Sequence, residues 1–160
     1  VVKRAIELTM DLALTSDSVD AFCAKYYDKM LDWTWPSRDW KREHFYSGSS
    51  IEIVPVVMAL LHLCRGEVNQ CIVEGASFGR DCDTIGRAIG CVAGALRGAT
   101  AIRSHWIAQC EQANTPLYED LEGDCTANFY SLAQRLAGAI KSERAKMSTQ
   151  VALLDQIIGS

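Results

Sequence analysis

Apolar residues recur at intervals of three and four along most of the chain, the spacing that places them on one face of an α-helix. Two such segments cover residues 1–14 and 18–32, and the Thr-Ser-Asp-Ser sequence of residues 15–18 separates them with residues that favour helix caps. No segment shows the strict alternation of apolar and polar residues that is typical of a strand. The pattern therefore predicts an all-α fold.

The helical pattern is interrupted between residues 33 and 50, where no period is apparent and Pro36 occurs. This segment predicts a long ordered loop, because its aromatic side chains can anchor it to the core. The alternative is that one of these aromatic rings provides a surface on which a ligand stacks. The aromatic residues are Trp33, Trp35, Trp40, Phe45 and Tyr46.

Helical spacing resumes near Pro55, and the run from Pro55 to Cys64 is almost wholly apolar. We predict a buried helix that begins at Pro55, since proline is favoured at the first helical position. A capping box formed by Ser49 and Glu52 is the alternative start, but it would place Pro55 inside the helix. Loops are predicted at residues 115–116 and 122–124. Further helices are predicted at residues 67–76, 84–100, 103–113, 125–140 and 142–157.

The composition, 49% hydrophobic and 22% charged over 160 residues, fits one folded domain or part of one and excludes a disordered chain. A net charge of −4 argues against a broad nucleic-acid-binding face. No apolar run is long enough to span a membrane. The seven cysteines include no Cys-x-x-Cys pair, so we expect free thiols in a reducing compartment and a cytoplasmic protein.

The sharpest chemical signal lies in the turn before the helix predicted at 84–100. Asp81, Asp83 and Thr84 offer three hard oxygen donors within four residues, a set that suits Mg²⁺ or Mn²⁺. A bound ion of this kind can acidify a water or polarise a leaving oxygen. The alternative is ordinary helix capping, in which Asp81 or Asp83 accepts hydrogen bonds from free backbone N–H groups.

Glycine recurs every fourth residue in the helix that follows. Each glycine costs roughly 0.8–1 kcal/mol relative to alanine within a helix, so the repeat indicates that side chains are excluded from this face. The simpler explanation for the repeat is that another helix packs closely against this face. The alternative explanation is that a ligand lies against the helix backbone. The repeated residues are Gly86, Gly90, Gly94 and Gly98.

Together, the Ser-Phe-Gly-Arg-Asp-Cys-Asp-Thr-Ile sequence of residues 77–85 and the glycine-rich helix resemble the C-terminal signature of the ADP-ribosylglycohydrolase family. That signature is Gly-Gly-Asp-x-Asp-Thr, followed by a helix rich in glycine and alanine. The Glu-x-x-Pro of residues 52–55 and the Arg-Gly-Glu of residues 65–67 are also similar. The resemblance implies an all-α, compact multi-helix orthogonal bundle with a binuclear Mg²⁺ or Mn²⁺ centre. It also implies hydrolysis of the N- or O-glycosidic bond at C1″ of ADP-ribose.

The resemblance implies roles for individual residues. Asp81, Asp83 and Thr84 correspond to metal ligands, and the two aspartates to catalytic residues. Gly79 corresponds to the point where substrate approaches the backbone. Arg80 stands where the signature has its second glycine. We expect Arg80 either to bind substrate, by closing the ribose pocket or contacting a phosphate, or to form a structural ion pair.

The family domain is about twice the length of this chain, and the metal ligands of its N-terminal half have no match here. We therefore interpret residues 1–160 as the C-terminal half of such a domain. The expected partners are an ADP-ribose-type small molecule or an ADP-ribosylated protein, together with a complementary N-terminal half or a second copy of the chain. We expect neither nucleic acid nor membrane as a partner. A non-catalytic helical binding or assembly module is the alternative function.

Overall fold

The computed structural model describes residues 2–30, 49–122 and 128–158, which form α-helices and one short 3₁₀ helix and contain no strand. The all-α prediction is therefore confirmed for these residues. The predicted aromatic loop, apart from its last two residues, lies outside the described residues. The helices are α1 (Val2–Leu14), α2 (Val19–Met30), α3 (Ser50–Leu63), α4 (Val68–Ser77), α5 (Cys82–Arg97), the 3₁₀ helix Ala99–Ala101, α6 (Ser104–Glu122) and α7 (Phe129–Ile158).

Helix α3 begins at Ser50, so the predicted start at Pro55 is wrong. Ser49 is the N-cap, and its carbonyl accepts hydrogen bonds from the amides of Glu52 and Ile53, each at 2.9 Å. Pro55 lies inside the helix and is buried, as the capping-box alternative required. Packing explains the difference, because burial of this apolar helix outweighs the hydrogen bond that a proline cannot donate.

Two predicted breaks are absent from the second half of the chain. Helix α6 continues through Pro116, where the sequence predicted a loop, and α7 is one helix where two were predicted. The side chains of Asn114 and Thr115 donate hydrogen bonds to carbonyls of the preceding helical turn, at 2.7 and 2.9 Å. These side-chain hydrogen bonds are compatible with a continuous helix. Around the predicted break in α7 the residues are good helix formers, with no proline or glycine between 139 and 157.

The chain divides into two compact units, residues 1–103 and 104–160. In the first, α1 packs on α3, α3 packs on α5, and α4 packs on α5. Its core includes Phe22, Val56, Leu60, Ile85 and Ile89, all fully buried. In the second, the rings of Tyr118 and Phe129 meet edge to face with centroids 6.2 Å apart. None of the described helices is long and apolar enough to cross a membrane.

The glycine repeat has two different functions along α5. A Cβ added to Gly75 of α4 would lie 2.8 Å from Ile89 Cγ2 and 3.1 Å from the Cα of Gly86, so the two backbones touch here. Gly94, two helical turns further along α5, has nothing within 4 Å of such a Cβ. Gly98 ends the helix with a φ of 82°, a left-handed conformation that favours glycine. Close helix packing therefore explains only the first part of the repeat.

This difference predicts opposite effects for one substitution at two sites. Gly75→Ala is expected to destabilise the protein by about 1–3 kcal/mol, because the backbone of α5 must move to accept the methyl group. Gly94→Ala is expected to stabilise it by up to about 1 kcal/mol, because it adds helix propensity without a clash. Urea unfolding monitored by circular dichroism measures both. Equal effects of the two variants would contradict the close approach of α4 and α5.

Candidate active site

The candidate site is the turn formed by residues 78–81, which connects α4 to α5, together with the first turn of α5. Its backbone is left-handed at two successive residues, Gly79 with a φ of 86° and Arg80 with a φ of 55°. A left-handed residue other than glycine costs roughly 1–2 kcal/mol. This explains why a second glycine suits the position of Arg80, and it means that other contacts must offset the strain in this chain.

Tyr27 of α2 fixes the first part of the turn. Its hydroxyl donates a hydrogen bond of 2.6 Å to the carbonyl of Phe78, and the two rings stack with centroids 5.6 Å apart. Burial raises the pKa of Tyr27, so the hydroxyl keeps its proton and remains a donor at neutral pH. A Cβ on Gly79 would lie 2.9 Å from the same hydroxyl oxygen. Gly79 is therefore required both by its backbone angle and by the approach of Tyr27.

Glu52 of α3 fixes the second part of the turn. The Arg80 guanidinium donates to both carboxylate oxygens of Glu52, through Nε to Oε1 and through a terminal nitrogen to Oε2 at 2.8 Å. The pair is buried, with only 9% of the Arg80 side chain and 2% of the Glu52 side chain exposed. Burial alone would lower the pKa of Arg80, but the hydrogen bonds and charge of Glu52 raise it above its usual value, so the guanidinium stays charged. Of the alternatives open for Arg80, the geometry matches the structural ion pair.

Of the two aspartates at the end of this turn, Asp83 is exposed and Asp81 is half-buried. Asp81 is the N-cap of α5, and its carbonyl accepts from the amide of Ile85 at 3.0 Å, yet its side chain makes no capping hydrogen bond. Hydrogen bonding to Asp81 is the largest influence that lowers the pKa of Asp83, and the backbone N–H of Thr84 and the charge of Arg87 lower it further. The Asp81 side chain therefore influences the protonation of Asp83. Two carboxylates at neighbouring positions can share a bound cation.

The donor set is suited to a hard divalent ion but is incomplete. Asp81, Asp83 and the half-buried Thr84 would supply up to three oxygen ligands, whereas Mg²⁺ takes about six. Within residues 2–30, 49–122 and 128–158, no three His, Cys, Asp or Glu side chains are grouped so that they could hold a metal. These residues therefore fit one side of a metal centre, whose other ligands must come from water, substrate or further protein segments.

The arrangement shows which parts of the site the sequence could indicate. Gly79, Arg80, Asp81, Asp83 and Thr84 were identified as neighbours in one turn, and the structure places all five there. Sequence analysis did not identify the function of Tyr27, because nothing local connects it to a carbonyl 51 residues away. Glu52 was noted in the Glu-x-x-Pro motif and in the possible capping box with Ser49, but not as the partner of Arg80.

Comparisons with known proteins show which family the chain belongs to. Residues 1–146 match the sequence model of the ADP-ribosylglycohydrolase family. The chain therefore belongs to the ADP-ribosylglycohydrolase family, as the signature indicated. It is also 39% identical over 66 residues to the uncharacterized protein YegU of Escherichia coli strain K12. That alignment covers 41% of this chain and only 20% of YegU, so the chain matches about a fifth of the length of this relative. No solved structure matches it significantly.

Proposed function

We propose that this chain provides one side of the metal centre of a glycohydrolase that cleaves the N- or O-glycosidic bond of ADP-ribose-type substrates. In this proposal residues 1–160 are the C-terminal half of the catalytic domain, and an N-terminal half completes it. The observation that carries the proposal is the position of Asp81 and Asp83 at the start of α5, after a turn that Tyr27 and Glu52 hold from two sides. Membership of the ADP-ribosylglycohydrolase family supports the same reaction class.

Asp81, Asp83 and the Thr84 hydroxyl would hold Mg²⁺ or Mn²⁺. When bound, such an ion would hold ribose hydroxyls and acidify a water molecule. Rigidity of the ligands is valuable here, because a catalytic group that is misplaced by about 1 Å can reduce the rate by two orders of magnitude. The buried pairs Tyr27–Phe78 and Glu52–Arg80 supply this rigidity from α2 and α3.

Gly79 and Arg80 are our candidates for contact with the substrate. Because Glu52 occupies the Arg80 guanidinium, we infer that Arg80 contributes through its backbone. Both residues have left-handed backbone angles, so their N–H and C=O groups point in directions that a regular helix does not allow. Backbone groups displayed in this way can bind ribose hydroxyls.

We also infer that the protein acts in the cytoplasm, since the described cysteines, Cys23, Cys64, Cys71, Cys82, Cys91 and Cys110, are free thiols. The proposed ligand is ADP-ribose or an ADP-ribosylated protein.

Calorimetric titration of the full chain tests the proposal through binding, because turnover requires the completed domain. We expect ADP-ribose to bind in the presence of Mn²⁺ and to bind at least tenfold more weakly in the presence of EDTA. AMP, which lacks the second ribose, serves as the control ligand and should bind no better with Mn²⁺ than without it. Binding of ADP-ribose that is indifferent to Mn²⁺ would support the alternative, a non-catalytic binding module. The absence of binding under both conditions would exclude recognition of ADP-ribose by this chain.

A further inference from the structure

Helix α7 carries a seven-residue repeat of exposed apolar side chains that the proposed active site does not use. The first positions of the repeat, called a, and the fourth positions, called d, follow each other at alternating steps of three and four residues. Only one of these positions, Arg144, is charged. Position a is occupied by Tyr130, Ala137, Arg144, Val151 and Ile158, and position d by Ala133, Ile140, Met147 and Leu154.

All nine residues are exposed, although the apolar ones include large side chains. Ile140, Met147 and Leu154 each expose more than half of their surface, at 61%, 59% and 55%. The 30 residues of α7 extend over about 45 Å, so the repeat forms a long apolar stripe. A strict seven-residue period keeps such a stripe facing a single partner helix, with which it forms a left-handed coiled coil.

We propose that α7 pairs with α7 of a second copy of this chain in an antiparallel coiled coil. The first argument is that the stripe complements itself in this orientation. In an antiparallel pair each a residue meets a d residue of the other helix. One register places Val151 opposite Ile140, and Ala137 opposite Leu154 of the second copy. The same register places Ala133 opposite Ile158, so each small residue is matched with a large one and the layers fill evenly.

The charges provide the second argument. In a parallel pair Arg144 would face Arg144 of the second copy in the apolar seam, where two like charges repel. In the antiparallel register Arg144 lies beside Met147, and its guanidinium can extend along the seam to solvent. The charged residues beside the seam also favour the antiparallel orientation. In this register Lys141 of each copy faces Asp155 of the other copy, so two opposite-charge pairs form. In a parallel pair these two residues are two heptads apart and do not meet.

Sedimentation equilibrium of the full chain tests the pairing. The chain mass is 17.6 kDa, so we expect about 35 kDa at tens of micromolar protein. Val151→Glu, in the seam, is expected to shift the protein to monomer. Thr149→Glu is the matched control on the outer face, because it also replaces a β-branched residue by glutamate and adds the same charge. It should remain dimeric. Circular dichroism verifies that both variants keep their helix, as glutamate favours helix more than valine or threonine.

A charge exchange tests the orientation. Lys141→Asp should weaken the dimer by up to about tenfold, because two like-charge pairs replace two opposite ones. The double variant Lys141→Asp with Asp155→Lys should restore the original dissociation constant. Failure of the double variant to recover would exclude the antiparallel register. A monomer at all concentrations, or a dimer that is unaffected by Val151→Glu, would overturn the proposal.

Discussion

Replacing Asp83 with asparagine is expected to reduce the affinity of the chain for Mn²⁺ by more than a hundredfold while the melting temperature changes by only a few degrees. Asparagine keeps the shape of the side chain but removes the charge that attracts the cation. The cost to folding is small, because the exposed carboxylate contributes mainly a favourable interaction with the N-terminus of α5, worth about 0.3–1 kcal/mol.

Asp20→Asn is a matched control for this prediction. Asp20 and Asp83 are each the second residue of their helices, α2 and α5, so both substitutions remove the same interaction with a helix N-terminus. We expect Asp20→Asn to leave Mn²⁺ binding unchanged. Asp81→Asn should behave as Asp83→Asn does, since asparagine is an equally good N-cap residue. Manganese binding can be measured by electron paramagnetic resonance of the free ion. Native affinity in both variants of the turn would show that these aspartates are not ligands.

Replacing Arg80 with glycine is expected to destabilise the protein by about 3–5 kcal/mol, although glycine suits the backbone angle better. The substitution removes a strained φ of 55°, but it leaves the Glu52 carboxylate buried without its partner. An uncompensated buried charge costs more than the strain that is relieved. The midpoint of urea unfolding measures the net effect. If Arg80→Gly were as stable as the native chain, the ion pair would not be the feature that holds the turn.

Arg65→Gly separates the two contributions. Arg65 is also left-handed, with a φ of 53°, but its side chain is exposed. We expect this control to change stability by no more than about 1 kcal/mol. The double variant Glu52→Gln with Arg80→Gly should be more stable than Arg80→Gly alone, because it removes the buried charge as well. Weaker Mn²⁺ binding by the folded double variant would show that the ion pair positions Asp81 and Asp83.

Local signals carried much of the fold prediction. The periods of three and four residues identified α1, α2, α4 and α5 within a few residues of their observed bounds. Consecutive residues necessarily share a turn, so Asp81, Asp83 and Thr84 could be recognised together from the order of residues alone. The start of α3 and the continuity of α6 could not be recognised in this way. Pro55 and Pro116 are local signals to stop a helix, and packing or side-chain hydrogen bonds override them.

The sequence by itself determined the helical class, the family and the oxygen donors that the turn offers, because each of these depends on neighbouring residues or on a short motif. Only the tertiary structure showed what holds that turn in place. The Tyr27 hydroxyl contacts a carbonyl 51 residues away, and Arg80 pairs with Glu52 across 28 residues. The spacing of apolar residues along the sequence contains no information about such contacts. They form only when burial of the apolar faces of α2, α3 and α5 brings separate helices together, and that long-range packing turns a sequence motif into a defined site.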